Sequence, residues 1–381
     1  MDRDLDQQVA DLLGQLVAID SVNPSLVPGA AGERAVAAHV RDWAARSGLR
    51  VEVLQATPRR PSVVVRGGRA AGGRVLMLCA HLDTVGFGGM ADPLEARVES
   101  ERLYGRGAYD MKAGLAAALI ACREAARSGV AGEVVVAAVA DEEHSSLGVQ
   151  EVLRHVAADA AIVTEPTELA VATAHKGFVW VEIDVEGLAA HGSRPHLGVD
   201  AILRTGPILV ALEALNVALR ARPHPLLGPG TLHGSLISGG REASTIPDRC
   251  ALTVERRTLP GETVADVERE IAELLEDCRR ADPQLKAVAR TTLAREPFET
   301  PASAPIVEVV AAAAAEVLGR REPVAGVSYW ADSAFISAAG IPTVLFGPDG
   351  EGAHADVEWV SIPGTAACAR VLGAAARSFC G

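Results

Sequence analysis

Three short apolar runs, residues 75–79, 133–140 and 161–164, most constrain what this chain can fold into. Each is rich in valine, leucine or alanine and ends abruptly in polar residues, the pattern of a buried strand. Helical stretches separate them, among them an alanine-rich one over 113–127 that stops at Gly129. Strands alternating with helices predict a largely parallel α/β sheet, which collects ligands at the carboxyl ends of its strands. The first run delivers His81 and Asp83, which share one face of an extended chain, an arrangement expected to let His81 bind a metal while Asp83 orients its ring or a neighbouring base. The second delivers Asp141, Glu142 and Glu143, and the third delivers Glu165 just before Pro166. Between the first two runs stands Gly105-Arg106-Gly107-Ala108-Tyr109-Asp110, whose glycines predict an unusual backbone and a close approach.

The pattern changes at Phe178. Val179, Val181, Ile183 and Val185 alternate with Trp180, Glu182 and Asp184, a strand with two unlike faces. A helix over 199–219, strands over 231–238 and 250–256, a helix over 263–278 and a strand over 285–294 follow. That order, β-α-β-β-α-β, predicts a ferredoxin-like unit. Residues 178–295 are therefore expected to form a second domain, inserted into a first made of 1–177 and 296–381. The helical segment 305–318 resumes the first domain, a strand over 343–346 follows, and His354 comes on a glycine-rich loop.

A length of 381 residues accommodates two such domains. The net charge of −13 opposes a nucleic-acid or anionic-membrane partner, since both need basic patches. The six cysteines form no Cys-x-x-Cys pair, which suits a reducing compartment. The first twenty residues hold Asp2, Asp4 and Asp6 in place of an apolar signal core. No run reads as long and apolar enough to span a membrane. A cytoplasmic protein is expected.

Each polar residue at these strand ends also has an ordinary structural reading. Asp110 would serve as a helix N-cap, Glu142 and Glu143 as a solvated turn, Glu165 as a surface residue and His354 as a loop histidine. Taken together, two histidines and several carboxylates at one crevice are the ligand set of a dinuclear hydrolytic metal site suited to zinc, cobalt or manganese.

His81-Leu82-Asp83, the segment from Gly105 to Lys112, Asp141-Glu142-Glu143, Thr164-Glu165-Pro166-Thr167, Ala190-His191-Gly192-Ser193 and Gly352-Ala353-His354 resemble, in order and spacing, one family's signatures. It is the co-catalytic zinc amidohydrolases of metallopeptidase clan MH, which includes acetylornithine deacetylase, succinyl-diaminopimelate desuccinylase, aminoacylase and glutamate carboxypeptidase. The resemblance implies two zinc ions per subunit, with cobalt or manganese able to substitute. His81 and Glu165 would hold one ion, Glu143 and His354 the other, and Asp110 would bridge them. Asp83 would orient His81, and Glu142 would be the general base. The inserted domain would be a lid through which the chain forms a homodimer. His191 would stabilise the oxyanion in the partner subunit's site, and Arg257 would grip a substrate carboxylate. One position departs from the pattern: Ser244 stands where the family usually has a substrate-holding asparagine, which puts the usual substrate pose in question. The expected substrate is an N-acyl amino acid, deacylated as in the acetylornithine or succinyl-diaminopimelate branch. A dipeptidase or carboxypeptidase would use the same residues, and an inactive relative kept for binding would have lost some of them.

Overall fold

The structure is a computed structural model that describes residues 3–69, 72–321 and 323–381. Two compact units divide the chain. The first comprises Met1–Thr173, Thr300–Ala325 and Ala331–Gly381, and the second Ala174–Glu299 with Gly326–Trp330.

In the first unit a sheet runs in the order Arg50–Leu54, Ser62–Gly68, Glu133–Val139, Val75–His81, Ala160–Val163, Thr343–Leu345, with Ala172 paired to Leu345 on the outer side. The four strands from Glu133–Val139 to Thr343–Leu345 are parallel, and their outer neighbours pair antiparallel. Glu133–Val139 is buried along its whole length, as the uninterrupted apolar runs require of strands covered on both faces. The helix Ile362–Cys380 packs against both Ala113–Ser128 and Pro305–Leu318 in the same apolar core. Gly114 has a steric reason: a Cβ there would meet the Thr164 carbonyl oxygen at 2.0 Å, so only glycine lets this helix start against the end of a neighbouring strand.

A small antiparallel sheet orders Gly350–Glu351, Trp359–Ser361, Arg102–Tyr104 and Arg97–Glu99. It brings two distant loops side by side. Trp359 pairs with Tyr104, so the loop leading into Asp110 lies beside the loop that carries His354.

The second unit holds a four-stranded antiparallel sheet ordered Thr231–Gly239, Arg249–Thr258, Gly177–Glu186, Lys286–Arg295. Val179, Val181, Ile183 and Val185 form its core face against the helices Ala201–Leu219 and Val264–Ala281. The second helix starts on a capping box between Thr263 and Asp266. Sequence order and sheet order together are those of a ferredoxin-like fold.

One expectation is corrected. Among the described residues the helix Ala201–Leu219 is long and apolar enough, by length and composition, to cross a membrane. Arg204, Pro207 and Glu213 interrupt the run and hide this in the sequence. Ala201, Thr205, Ile208, Leu212 and Leu219 of this helix are buried within the second unit, while Leu203 and Val210 stay 75% and 72% exposed.

Candidate metal centre

His81 is the last residue of its strand, Glu165 follows the strand Ala160–Val163 closely, and Glu142 and Glu143 follow Glu133–Val139. Three adjacent parallel strands therefore project their ends into one crevice. Asp110 reaches it from a kinked turn, Ala108–Lys112, in which Asp110 and Met111 leave helical geometry. Lys112, not Asp110, stands at the N-cap position of the helix that follows, so the ordinary N-cap reading of Asp110 does not hold. Gly105 and Gly107 before it have φ of +147° and +77°, the backbone that the sequence led one to expect.

The donor atoms form two groups that share Asp110. His81 Nε2 stands 3.1 Å from Asp110 Oδ1 and 3.7 Å from Glu165 Oε1. His354 Nε2 stands 3.2 Å from Asp110 Oδ2 and 3.2 Å from Glu143 Oε2. Within each group the candidate ligand atoms lie within 4.8 Å of one another. Asp110 thus offers one oxygen to each histidine. Glu142 belongs to neither group, although its carboxyl feels the charges of His81, Glu165 and Glu143.

The electrostatics are those of a crowd of carboxylates. Burial pushes Glu142 and Glu165 well above the usual carboxylate range, against the pull of His81 and with the help of neighbouring acids. Burial raises Glu143 too, with Asp110 adding to the shift. Burial also works on Asp110, but hydrogen bonds from His354 and His81 override it and hold this carboxyl below its ordinary range. Hydrogen bonds to Asp110 and Glu143 push His354 up to about 10. Glu143 Oε1 is buried and meets no protein donor. Clustered acids, two imidazoles and a buried carboxylate oxygen without a donor are what a pair of divalent cations would complete, so the residues fit a dinuclear centre.

A proton-release measurement follows from His354. Its pKa of about 10 exceeds the ordinary imidazole value of 6.5. The bound proton therefore stabilises the metal-free fold fully below about pH 6.5, and that contribution is lost as pH rises through about 10. A metal must displace that proton, and those on the raised carboxyls. Zinc binding at pH 7.5 should release protons, and affinity should climb with pH across this window. Calorimetry in buffers of different ionisation enthalpy reads the release directly. A proton count of zero would remove His354 from the ligand set.

Asp83 acts through both its main chain and its side chain. His81 Nδ1 donates to the Asp83 backbone carbonyl at 2.9 Å, while the carboxylate is 3.8 Å away. That carboxylate accepts the backbone N–H groups of Glu142 and Glu143 at 3.1 and 3.2 Å and the Asn23 amide at 2.7 Å. Asp83 therefore fixes the ring through its main chain and fixes the glutamate turn through its side chain. Asp141, which opens that turn, has φ of +69°, a costly conformation for a residue with a side chain. Asn23 and Arg60 hold Asp141 Oδ1, and Glu33 pairs with Arg60 in the same buried network. Asn23, Glu33 and Arg60 were not picked out from the sequence; Asn23 lies in a proline turn and carried no other signal. Asp332, buried before the helix Ser333–Ala338, was missed as well, and its charge helps to raise Glu142 and Glu165.

His191, Ser244 and Arg257 lie in the second unit. The first two share a short ribbon in which His191 pairs with Thr245 and the Gly192 N–H donates to the Ser244 carbonyl at 2.7 Å. His191 Nδ1 meets the Ser193 hydroxyl at 2.8 Å. Arg257 belongs to the four-stranded sheet, where its Nε donates to Glu255 at 2.6 Å and its guanidinium lies 5.2 Å from the Phe178 ring centre. Its neighbour Arg256 is 1% exposed and spent on Glu262 and Glu270, so only Arg257 of the two is open to a ligand.

Known proteins resemble this chain in sequence and fold. Over 326 residues the chain is 31% identical to acetylornithine deacetylase of Myxococcus xanthus, covering 84% of each. It is 28% identical to that of Proteus mirabilis over 97% of this chain and 96% of the relative. Its fold matches aminopeptidase PepT of Bacillus cereus with a TM-score of 0.79 at 18% identity, over 99% of both chains. A dinuclear metal-binding M20 peptidase of Bacillus subtilis matches with 0.76 at 15% identity, over 100% of this chain and 99% of that one. Residues 77–378, which contain all five candidate ligands, match Peptidase family M20/M25/M40, so this chain belongs to that family and is a metal-dependent enzyme acting on amide bonds.

Proposed function

We propose that this enzyme removes the acyl group from an N-acyl amino acid, with two zinc ions per subunit. The observation that carries the reading is Asp110, whose two oxygens each face a different histidine–carboxylate pair while Glu142 stands outside both. His81, Glu165 and Asp110 would hold one ion, and Glu143, His354 and Asp110 the other. Bound zinc supplies Lewis acidity towards a carbonyl and lowers the pKa of a water. The rest falls to the chain. Glu142 takes the proton of the attacking water on its carboxylate and passes it to the leaving nitrogen. A raised carboxyl pKa suits both halves of that transfer. Asp83 and Asn23 keep Glu142 and Glu143 in their separate places. Arg257 pairs with the substrate carboxylate, Ser244 helps to hold the substrate, and His191 donates to the developing oxyanion in the partner subunit's site.

Acetylornithine deacetylases among the relatives support a deacylase of that branch. The test is hydrolysis of N-acetyl, N-succinyl and N-formyl amino acids and of dipeptides, with zinc, cobalt or manganese added and with chelator. Metal-dependent cleavage confined to dipeptides would replace deacylase by dipeptidase. No cleavage together with no bound metal would end the reading.

The second unit is proposed as a homodimerisation lid, in a cytoplasmic enzyme. Leu203, Val210 and Val217 recur every seven residues on the helix Ala201–Leu219, and all are exposed. Leu236 and Ile237 are exposed on Thr231–Gly239, the edge strand packed beside that helix. An apolar helix face next to an open sheet edge suits a self-complementary contact. The double change Leu203→Asp, Val210→Asp should give monomers in sedimentation. Because His191 is taken to serve the partner's site, those monomers should also lose turnover. Dimers that persist, or fully active monomers, would count against this arrangement.

A further inference from the structure

The metal pockets draw on loops more than 240 residues apart in the chain, and one buried carboxylate stands between them. Glu358 is 2% exposed. Its Oε1 accepts the backbone N–H groups of Tyr109 and Asp110 at 2.9 and 3.1 Å. Its Oε2 accepts the Gly107 N–H at 3.0 Å and Arg106 Nη1 at 2.8 Å. The loop before Asp110 is thus wrapped around a single carboxylate as around a bound anion, with Gly107 at positive φ allowing the wrap. Arg106 is equally buried, and its Nη2 donates to the Ala355 carbonyl at 2.9 Å, on the residue next to His354. The Gly105 N–H donates to the Glu358 carbonyl at 3.2 Å, continuing the same tie along the small sheet.

We propose that Glu358, with Arg106, is the positioning pair of the dinuclear centre, setting the Asp110 backbone and the His354 loop in one register. The inference rests on reading these groups as two metal pockets. Its consequence is asymmetric. The pocket of Asp110, Glu143 and His354 takes two of its three ligands from the clamped loops. The pocket of His81, Asp110 and Glu165 takes only one, with His81 and Glu165 fixed by the main sheet. Weakening the clamp loosens the first pocket more than the second.

Glu358→Gln keeps the shape but replaces one accepting oxygen by an NH2 group. Whichever way the amide turns, it faces two donors with a donor. Zinc titration of the metal-free protein, with a competing chelator, should show one site near wild-type affinity and one weakened about 10- to 100-fold, the usual cost of losing a partner behind a ligand. Two sites at wild-type affinity would overturn the proposal. So would equal loss at both sites with a lowered melting temperature, because that is general destabilisation. If Glu358→Gln does not fold, Arg106→Lys carries the test. Lysine can still pair with Glu358 but lacks the fork that also reaches Ala355. It should weaken the same single site, and unchanged affinity at both would overturn the proposal. A wild-type chain that does not bind two ions would overturn the dinuclear reading, and this inference with it. Two tight sites in wild type and in the variants would overturn this inference alone.

Discussion

Glu142→Gln is expected to keep two metals and lose about a thousandfold in kcat, the range that a positioned general base contributes. The prediction separates two adjacent glutamates by geometry. Glu143 Oε2 lies 3.2 Å from His354 Nε2 and joins a ligand group, whereas Glu142 joins neither. Both backbones hang on the Asp83 carboxylate, so a change of side chain at Glu142 leaves the turn in place. Glutamine has the same shape and can still accept a hydrogen bond, but it cannot take a proton. Metal content by elemental analysis and kcat on a cleaved substrate are the two readings. Loss of a metal ion would make Glu142 a ligand. A kcat within tenfold of wild type would move the base elsewhere.

How much of this was legible follows from what each signal measures. The strands at 75–79, 133–140 and 161–164 stood out because burial on both faces leaves an unbroken apolar run. The second unit was legible for the opposite reason: Val179 to Val185 alternate because only one sheet face is covered. The helix Ile362–Cys380 gave no such pattern. Alanine, glycine and cysteine line it on nearly all sides, so no polar stripe marks its turns. The candidate ligand residues could be picked out because a strand end followed by His or Glu is local. Glu358 could not. It lies between Val357 and Trp359 like any charged residue at a strand start, and its meaning comes from Arg106 and Gly107 about 250 residues earlier. The partners of the Asp83 side chain were hidden for the same reason, since Glu142, Glu143 and Asn23 are brought to it only by the fold. Sequence distance hides whatever positions a site more thoroughly than it hides the candidate ligands themselves.

Asp110→Ala should abolish tight metal binding at both pockets, because each group loses the one residue they share. The loss should exceed the roughly 10- to 100-fold that changes behind a ligand cost. A complication lies in the metal-free state, where Asp110 hydrogen-bonds both histidines and is held below its ordinary pKa by them. A carboxyl lowered in this way stabilises the fold above its unfolded pKa and loses that contribution as pH falls through the folded one. The alanine variant is therefore less stable even without metal near neutral pH, and a lower melting temperature alone says nothing about bridging. The metal-dependent shift does, because a ligand that binds only the folded state raises stability by an amount set by its affinity. Wild type should melt higher with saturating zinc than with chelator, and Asp110→Ala should melt at the same temperature in both. Asp110→Asn keeps one oxygen beside one histidine and puts an NH2 group beside the other, so it should retain part of the shift and bind one ion more tightly than a second. A full zinc-dependent shift in Asp110→Ala would mean that the two groups fill independently, and Asp110 would then be a neighbour of the centre and not its bridge.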